Sequence, residues 1–147
     1  MRTHRLTRAP KDAPRETVEK LTLDERLGVV GDHKSEKDGS VSLLSAEAEE
    51  HIRGLGGLCT AKFAANIVTD GLDFSRLITG TRLIVGGCEL ELTRVGKPCY
   101  EECAILQRGE TCPIPRNCAF ARVTRGGEIR TNDEINHKDT SDSSDQA

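Results

Sequence analysis

From residue 81 onward, apolar and polar positions alternate with a period of two, the signature of half-buried strands. Residues 81–85, the pair Gly86-Gly87 and residues 88–93 predict a hairpin with a two-glycine turn. In its second strand Cys88, Leu90 and Leu92 fall on one face and Glu89, Glu91 and Thr93 on the other. Cys88 thereby reads as a small core residue. A second hairpin is expected from residues 120–123, a turn around Gly126-Gly127, and residues 128–130. Upstream, residues 40–44 predict a strand with Val41 and Leu43 on one face. Ser45 is placed to cap a helix running to about Arg53, with Ala46, Ala48 and Ile52 as its apolar stripe and Gly54, Gly56 and Gly57 beyond it. Residues 61–68 read as an irregular segment entering a strand before the Asp70-Gly71 turn, and Asp73 can cap a single turn over residues 74–77.

The N-terminal third is less regular. Val18, Leu21 and Leu23 fit a short strand or a poor helix equally, residues 27–33 read as chain crossing toward a turn, and KSEKDGS reads as solvated. The expectation is roughly five to seven short strands with one or two short helices, a mainly β, small barrel-like fold. The repeated strand-then-helix rhythm of a doubly wound sheet is missing.

Composition narrows the class. The chain has 147 residues, enough for one domain with a real core, and is 31% charged, 35% hydrophobic and 3% aromatic. Twenty-one basic against 24 acidic residues give a net charge of -3, which supplies no overall field for nucleic acid. No apolar stretch is long enough for a membrane helix, and no signal-peptide core is seen. A soluble, cytoplasmic protein is expected: residues 1–15 a flexible basic N-terminus, 16–135 the folded domain, 136–147 a disordered polar tail.

Candidate chemistry centres on sulfur. Six cysteines are present, Cys59, Cys88, Cys99, Cys103, Cys112 and Cys118, and four of them fall within 20 residues of one another. In Arg94-Val95-Gly96-Lys97-Pro98-Cys99 the strand ends, Gly96 permits a bend and Pro98 stiffens the backbone before the thiol. Arg94 and Lys97 favour a thiolate while Glu101 and Glu102 oppose it. The spacing Cys99-x₃-Cys103-x₈-Cys112-x₅-Cys118 also permits a structural zinc site, although it lacks two tight pairs. Gly31-Asp32-His33 reads as a turn, and the Asn66 amide as a loop support. No phosphate-binding P-loop, dinucleotide fingerprint, HExxH helix or nucleophile elbow occurs.

Taken in order, GDH at 31–33, SVSLLSAEAEE at 40–50, FAANIVTDGLD at 63–73, LITGTRLIVGGCELELTRVGKPC at 77–99 and FARVTRGGEIRTNDEI at 120–135 resemble the MOSC domain, the C-terminal domain of molybdenum cofactor sulfurases and of small free-standing bacterial proteins. The CxxxC…CPIP region resembles the shorter stand-alone members. The resemblance implies a β-barrel-rich fold and a sulfur carrier or transferase working in molybdenum cofactor metabolism. It matches Cys99 to the family's characteristic cysteine, proposed to carry sulfur as a persulfide, and leaves Cys103 or Cys112 to resolve the loaded state. Arg94 and Lys97 would face the phosphate or pterin-dithiolene of molybdopterin, with His33 and Asn66 as further pocket residues. Implied partners are a sulfur donor such as a cysteine desulfurase and a molybdenum cofactor enzyme or biosynthetic protein. Pyridoxal phosphate, often attached to such chains in family descriptions, would reside on a partner. A molybdopterin-binding module without turnover and a structural zinc-thiolate protein are the alternatives. The chain departs from the family pattern at His33, one residue earlier than usual, at Ala65 in place of a glutamate, and at Tyr100 in place of a histidine.

Overall fold

The computed structural model describes residues 1–52, 65–96 and 118–138. Among them the strands are β1 (Arg2–Arg8), β2 (Glu16–Val18), β3 (Lys20–Asp24), β4 (Gly28–Val29), β5 (Ser40–Ser45), β6 (Ile67–Asp70), β7 (Arg82–Val85), β8 (Cys88–Val95), β9 (Cys118–Arg125), β10 (Gly127–Arg130) and β11 (Ile135–His137). Two short helices, α1 (Ser35–Asp38) and α2 (Ala46–Ile52), and a 3-10 turn (Phe74–Arg76) accompany them. The mainly β, barrel-like expectation holds.

Eight strands form one sheet in the order β11-β7-β8-β9-β5-β6-β1-β2, antiparallel except for β5 beside β6. A parallel neighbour requires a crossover, and α2 begins it. The sheet curls until its ends meet: an Arg2–Glu134 bridge and the Ile135 N–H bonded to the Met1 carbonyl at 2.9 Å join β11 to the start of β1. Its concave face holds Leu6, Val41, Leu43, Ile67, Leu83, Leu90, Leu92 and Ala121, all buried. A second sheet, β10-β3-β4, contributes Leu21, Leu23, Val29 and Ile129 to the same core.

The β7–β8 hairpin forms as its alternation requires, with Val85 opposite Cys88 and Leu83 opposite Leu90. Ser45 accepts from the Ala48 N–H at 3.2 Å and so opens α2, and Asp73 caps the 3-10 turn through the Ser75 N–H at 3.0 Å. Cys88 is fully buried in the core. The expected helix end at about Arg53 and the tail beyond Lys138 lie outside the described residues.

Three expectations are corrected. The N-terminus is not a loose arm: β1 lies between β6 and β2, with Thr3 and Leu6 fully buried. Its basic side chains project from a strand whose other face is core, a pattern diluted in sequence by the flanking arginines. The second hairpin does not form either. β9 pairs with β5 and β8, whereas β10 crosses to the other sheet and pairs with β3, Ile129 opposite Leu21. The crossing is tight at Gly126, where a Cβ would lie 2.6 Å from the Leu23 carbonyl oxygen. Glycine here permits a change of sheet instead of a reversal. The KSEKDGS stretch also holds more than solvated chain, since it contains α1 and the buried Ser35, whose hydroxyl accepts from the Val29 N–H at 2.7 Å.

Gly28 and Gly80 provide a controlled comparison. Both have positive φ, but a Cβ at Gly28 would sit 2.3 Å from Ser35 Oγ and 2.8 Å from the Gly39 backbone, whereas at Gly80 it would meet nothing. Urea denaturation is expected to show Gly80→Ala losing about 1 kcal/mol and Gly28→Ala roughly 3 kcal/mol.

Candidate functional site

Asp32 is 2% exposed, yet it is a carboxylate. One oxygen, Oδ1, accepts from the N–H groups of Lys34 (3.1 Å) and Ser35 (3.0 Å); the other, Oδ2, accepts from the Ala9 N–H and from Asn66 Nδ2, both at 2.9 Å. Four bonds match the acceptor capacity of an ionised carboxylate. Burial pushes its pKa up, but the bonds from Ser35, Ala9 and Asn66, with the charge of Arg15 at 3.9 Å, outweigh burial and hold it below the ordinary aspartate value.

Asn66 is used as fully. Its Nδ2 donates to Asp32 and to the Thr7 carbonyl at 3.1 Å, while Oδ1 accepts from the Ser42 N–H (3.2 Å) and hydroxyl (3.1 Å). With both donors and both lone pairs engaged, this amide is a fastener between β1, β5 and the entry to β6, as a loop-supporting role demands. The Ala9 peptide closes the other side: its carbonyl accepts from the His33 N–H at 2.9 Å and lies 3.0 Å from His33 Nδ1. A carbonyl can only accept, so Nδ1 carries the proton and a neutral His33 presents Nε2 as a lone pair. Arg15 donates to Thr7 Oγ1 at 2.7 Å.

The sheet relates this cluster to the other candidate residues. The Asn66 amide meets Ser42; Ser42 is opposite Phe120, and Phe120 is opposite Arg94. Three strand spacings, roughly 14 Å, thus separate the Asn66 backbone from Arg94. A register shift between Leu92 and Arg94 leaves Val95 packed against the core and Arg94 exposed. The structure therefore brings Asn66 and His33 to one cluster and sets Arg94 in the same cross-strand row. Lys97, Cys99, Cys103 and Cys112 lie outside the described residues. The two described residues that flank this segment are joined, because the Gly96 N–H donates to the Cys118 carbonyl at 2.7 Å.

Two described cysteines, Cys88 and Cys118, are fully buried and neither is in a disulfide. Burial pushes the Cys88 thiol up to about 11, so it is protonated and unreactive at neutral pH. Among the described residues no group of three or more potential metal ligands is found, and no helix is long and apolar enough to cross a membrane.

Sequence reasoning treated Asp32 as part of a turn and passed over Arg15, Thr7 and Ser42. Asp32 precedes a short helix and bonds its first N–H groups, a local pattern that could have been read. Its bond to Asn66, 34 residues away, could not.

These features coincide with a known domain. A family model for the MOSC domain matches residues 30–136, and the chain belongs to that family. It is similar in fold to the YuaD protein from Bacillus subtilis, at 20% identity over 90% of this chain and 92% of that one, with a TM-score of 0.63. It is similar also to YiiM from Escherichia coli (19% identity, 94% of this chain and 70% of that one, TM-score 0.61). YiiM from Geobacillus stearothermophilus aligns at 13% identity over 93% of this chain and 73% of that one, with a TM-score of 0.56. No curated protein sequence matches the chain.

The depressed pKa makes Asp32 an acid-sensitive fastener. Its contribution is complete above the unfolded aspartate value of about 4 and is lost as pH falls toward the lower folded value. Asp32→Asn turns an NH₂ toward N–H donors and is expected to lose about 2–4 kcal/mol at neutral pH. Denaturation against pH should show the variant's deficit shrinking below about pH 4.

Proposed function

We propose that this MOSC protein relays sulfur in molybdenum cofactor metabolism, with Cys99 as the carrier. The observation that carries the reading is the family match over residues 30–136, which includes the Gly96-Lys97-Pro98-Cys99 segment. The β8–β9 ladder supports it: it ends on the Gly96–Cys118 bond, so the described residues on either side of the cysteine-bearing segment are held together.

The Cys99 thiolate attacks the outer sulfur of a donor persulfide; an S–S bond forms at Cys99 Sγ as the donor's S–S bond breaks, and the donor leaves as a thiolate. The Cys103 or Cys112 thiolate then attacks Cys99 Sγ and releases hydrosulfide, leaving a disulfide that an external dithiol reduces. Pyridoxal phosphate belongs, on this reading, to the desulfurase partner that generates the donor persulfide.

Molybdopterin is anionic, and the described residues differ in their fitness to hold it. Arg94 is exposed and no described side chain pairs with it, so it suits a phosphate; Lys97 shares its charge. His33 keeps Nε2 for a hydrogen bond. Asn66 has no bond left to give and holds the frame. The cofactor, when bound, supplies a dithiolene-held molybdenum centre that accepts sulfur.

Intact mass after incubation with a cysteine desulfurase and cysteine tests the reading. The native chain should gain a reductant-labile mass of one sulfur, mapped to Cys99, and Cys99→Ser should gain none. Equal loading of Cys99→Ser would end the relay proposal. Molybdopterin binding that survives the loss of this thiol would favour a binding module, and one zinc held per native chain a structural thiolate site.

A further inference from the structure

The two sheets part company after β2. The chain leaves β1's partner strand at Val18, turns at Glu19 and enters β3 of the smaller sheet, while residues 131–133 return against Thr3. The divergence leaves an open, cleft-like cavity of about 500 Å³ whose described lining is His4, Arg5, Thr17, Val18, Glu19, Arg130, Thr131 and Asn132. It lies toward the start of β1, whereas the Asp32 cluster meets that strand's other end through Thr7 and Ala9. Five of its eight lining residues precede the family match.

Its rim is held rigid. The Thr131 N–H donates to the Glu19 carbonyl at 2.9 Å and the Asn132 N–H to the Thr3 carbonyl at 2.9 Å; Thr3 Oγ1 donates to the Arg130 carbonyl at 2.6 Å. Two backbone irregularities also fall on this cavity. A bulge in β1 opposite β6 inserts His4, and such bulges re-aim side chains. Asn132 adopts a left-handed conformation, φ +72°, uncommon for a non-glycine residue.

The lining is built for hydrogen-bond donation. Arg5 is oriented by its ion pair with Glu49 of α2. Arg130 is two-thirds exposed and touches Glu128 only at 3.8 Å, leaving most of its fork free of described partners. His4, Thr17, Thr131 and Asn132 add further polar groups, and Glu19 is the lone carboxylate among the described lining residues. Among the described lining residues Val18 is the one apolar side chain, and no Phe, Tyr or Trp ring offers a broad stacking surface for a base.

We propose that this cavity binds a small sugar phosphate. Its phosphate is received by Arg130 and His4, where planar and imidazole donors suit a dianion. Its hydroxyls donate to the Glu19 carboxylate and exchange bonds with Thr17 and Thr131. The volume lies within the range of small-molecule sites.

Titration of ¹⁵N-labelled protein with ribose 5-phosphate, ribose and inorganic phosphate tests this directly. Ribose 5-phosphate should produce saturable shifts at His4, Thr17, Thr131 and Asn132, with phosphate alone weaker and ribose weakest. Arg130→Gln should weaken ribose 5-phosphate binding about tenfold or more, the scale of a lost charge-assisted bond. Glu19→Gln should weaken ribose 5-phosphate but leave inorganic phosphate unchanged. Both positions are exposed, and unchanged thermal unfolding confirms that each variant is folded. Absence of saturable shifts, or binding indifferent to Arg130→Gln, overturns the site; equal affinity for phosphate and ribose 5-phosphate overturns the sugar.

Discussion

An ionised carboxylate buried beside the main sheet sets the terms for the rest of this fold. Asp32 gathers the peptide after β1, the amide before β6 and the first turn of α1 through four bonds, and these three segments lie more than twenty residues apart in the sequence. A charge removed from water must be compensated on all sides or it becomes a liability of several kcal/mol. Compensation here is geometric: the Ala9 peptide lies between Asp32 and His33, donating to one and accepting from the other. A shift of the β1–β2 hairpin away from residues 31–33 would strand both.

The same logic runs across the sheet from this cluster toward the end of β8. Asn66 spans β1 and β5, Ser42 passes the row to Phe120 on β9, and Phe120 to Arg94 on β8. Each step is a backbone register fixed by the core residue next to it, Leu43, Ala119 or Val95. Alternating burial ends at the close of β8, and Arg94 owes its outward position to the register shift that turns Val95 inward. Cys88, seven residues earlier on the same strand, is core; its thiol is raised by the burial that makes it useful there. One strand thus carries a cysteine that packing silences, and the chain reaches Cys99 four residues after that strand ends.

The legible parts of the sequence were those where a local rule suffices. Leu83, Val85, Cys88, Leu90 and Leu92 alternate across a two-glycine turn, and no other element was needed to read them. Ser45 and Asp73 announce their caps by identity and position. Glu128-Ile129-Arg130 has the same alternation but answers to Leu21 and Leu23, more than a hundred residues away, so a local rule assigned it the wrong partner. Glu89 shows the same limit for charge. It sits on the outward face of β8 yet is buried by Arg82, Thr124 and Lys138, and the Lys138 bond holds its pKa low against burial. Among the candidate residues, Asn66 was legible as a support because an amide commonly serves one. That it supports a buried aspartate required knowing where residue 32 folds.

The boundary of the family match has a physical meaning that the bonds around Asp32 expose. The match begins at residue 30, but Asp32 takes one of its four donors from Ala9, and Arg15 supplies the nearby charge that favours the ionised form. Thr7, on β1, pairs its N–H with the Asn66 carbonyl and its hydroxyl with Ala65. β1 also occupies the position between β6 and β2 and closes the curl at Glu134. The matched residues alone would retain the carboxylate and lose part of what neutralises it, with β6 exposed as an open edge. The first 29 residues are thus an integral part of the folding unit, and the cluster around Asp32 is shared between sequence that the family model recognises and sequence that it does not.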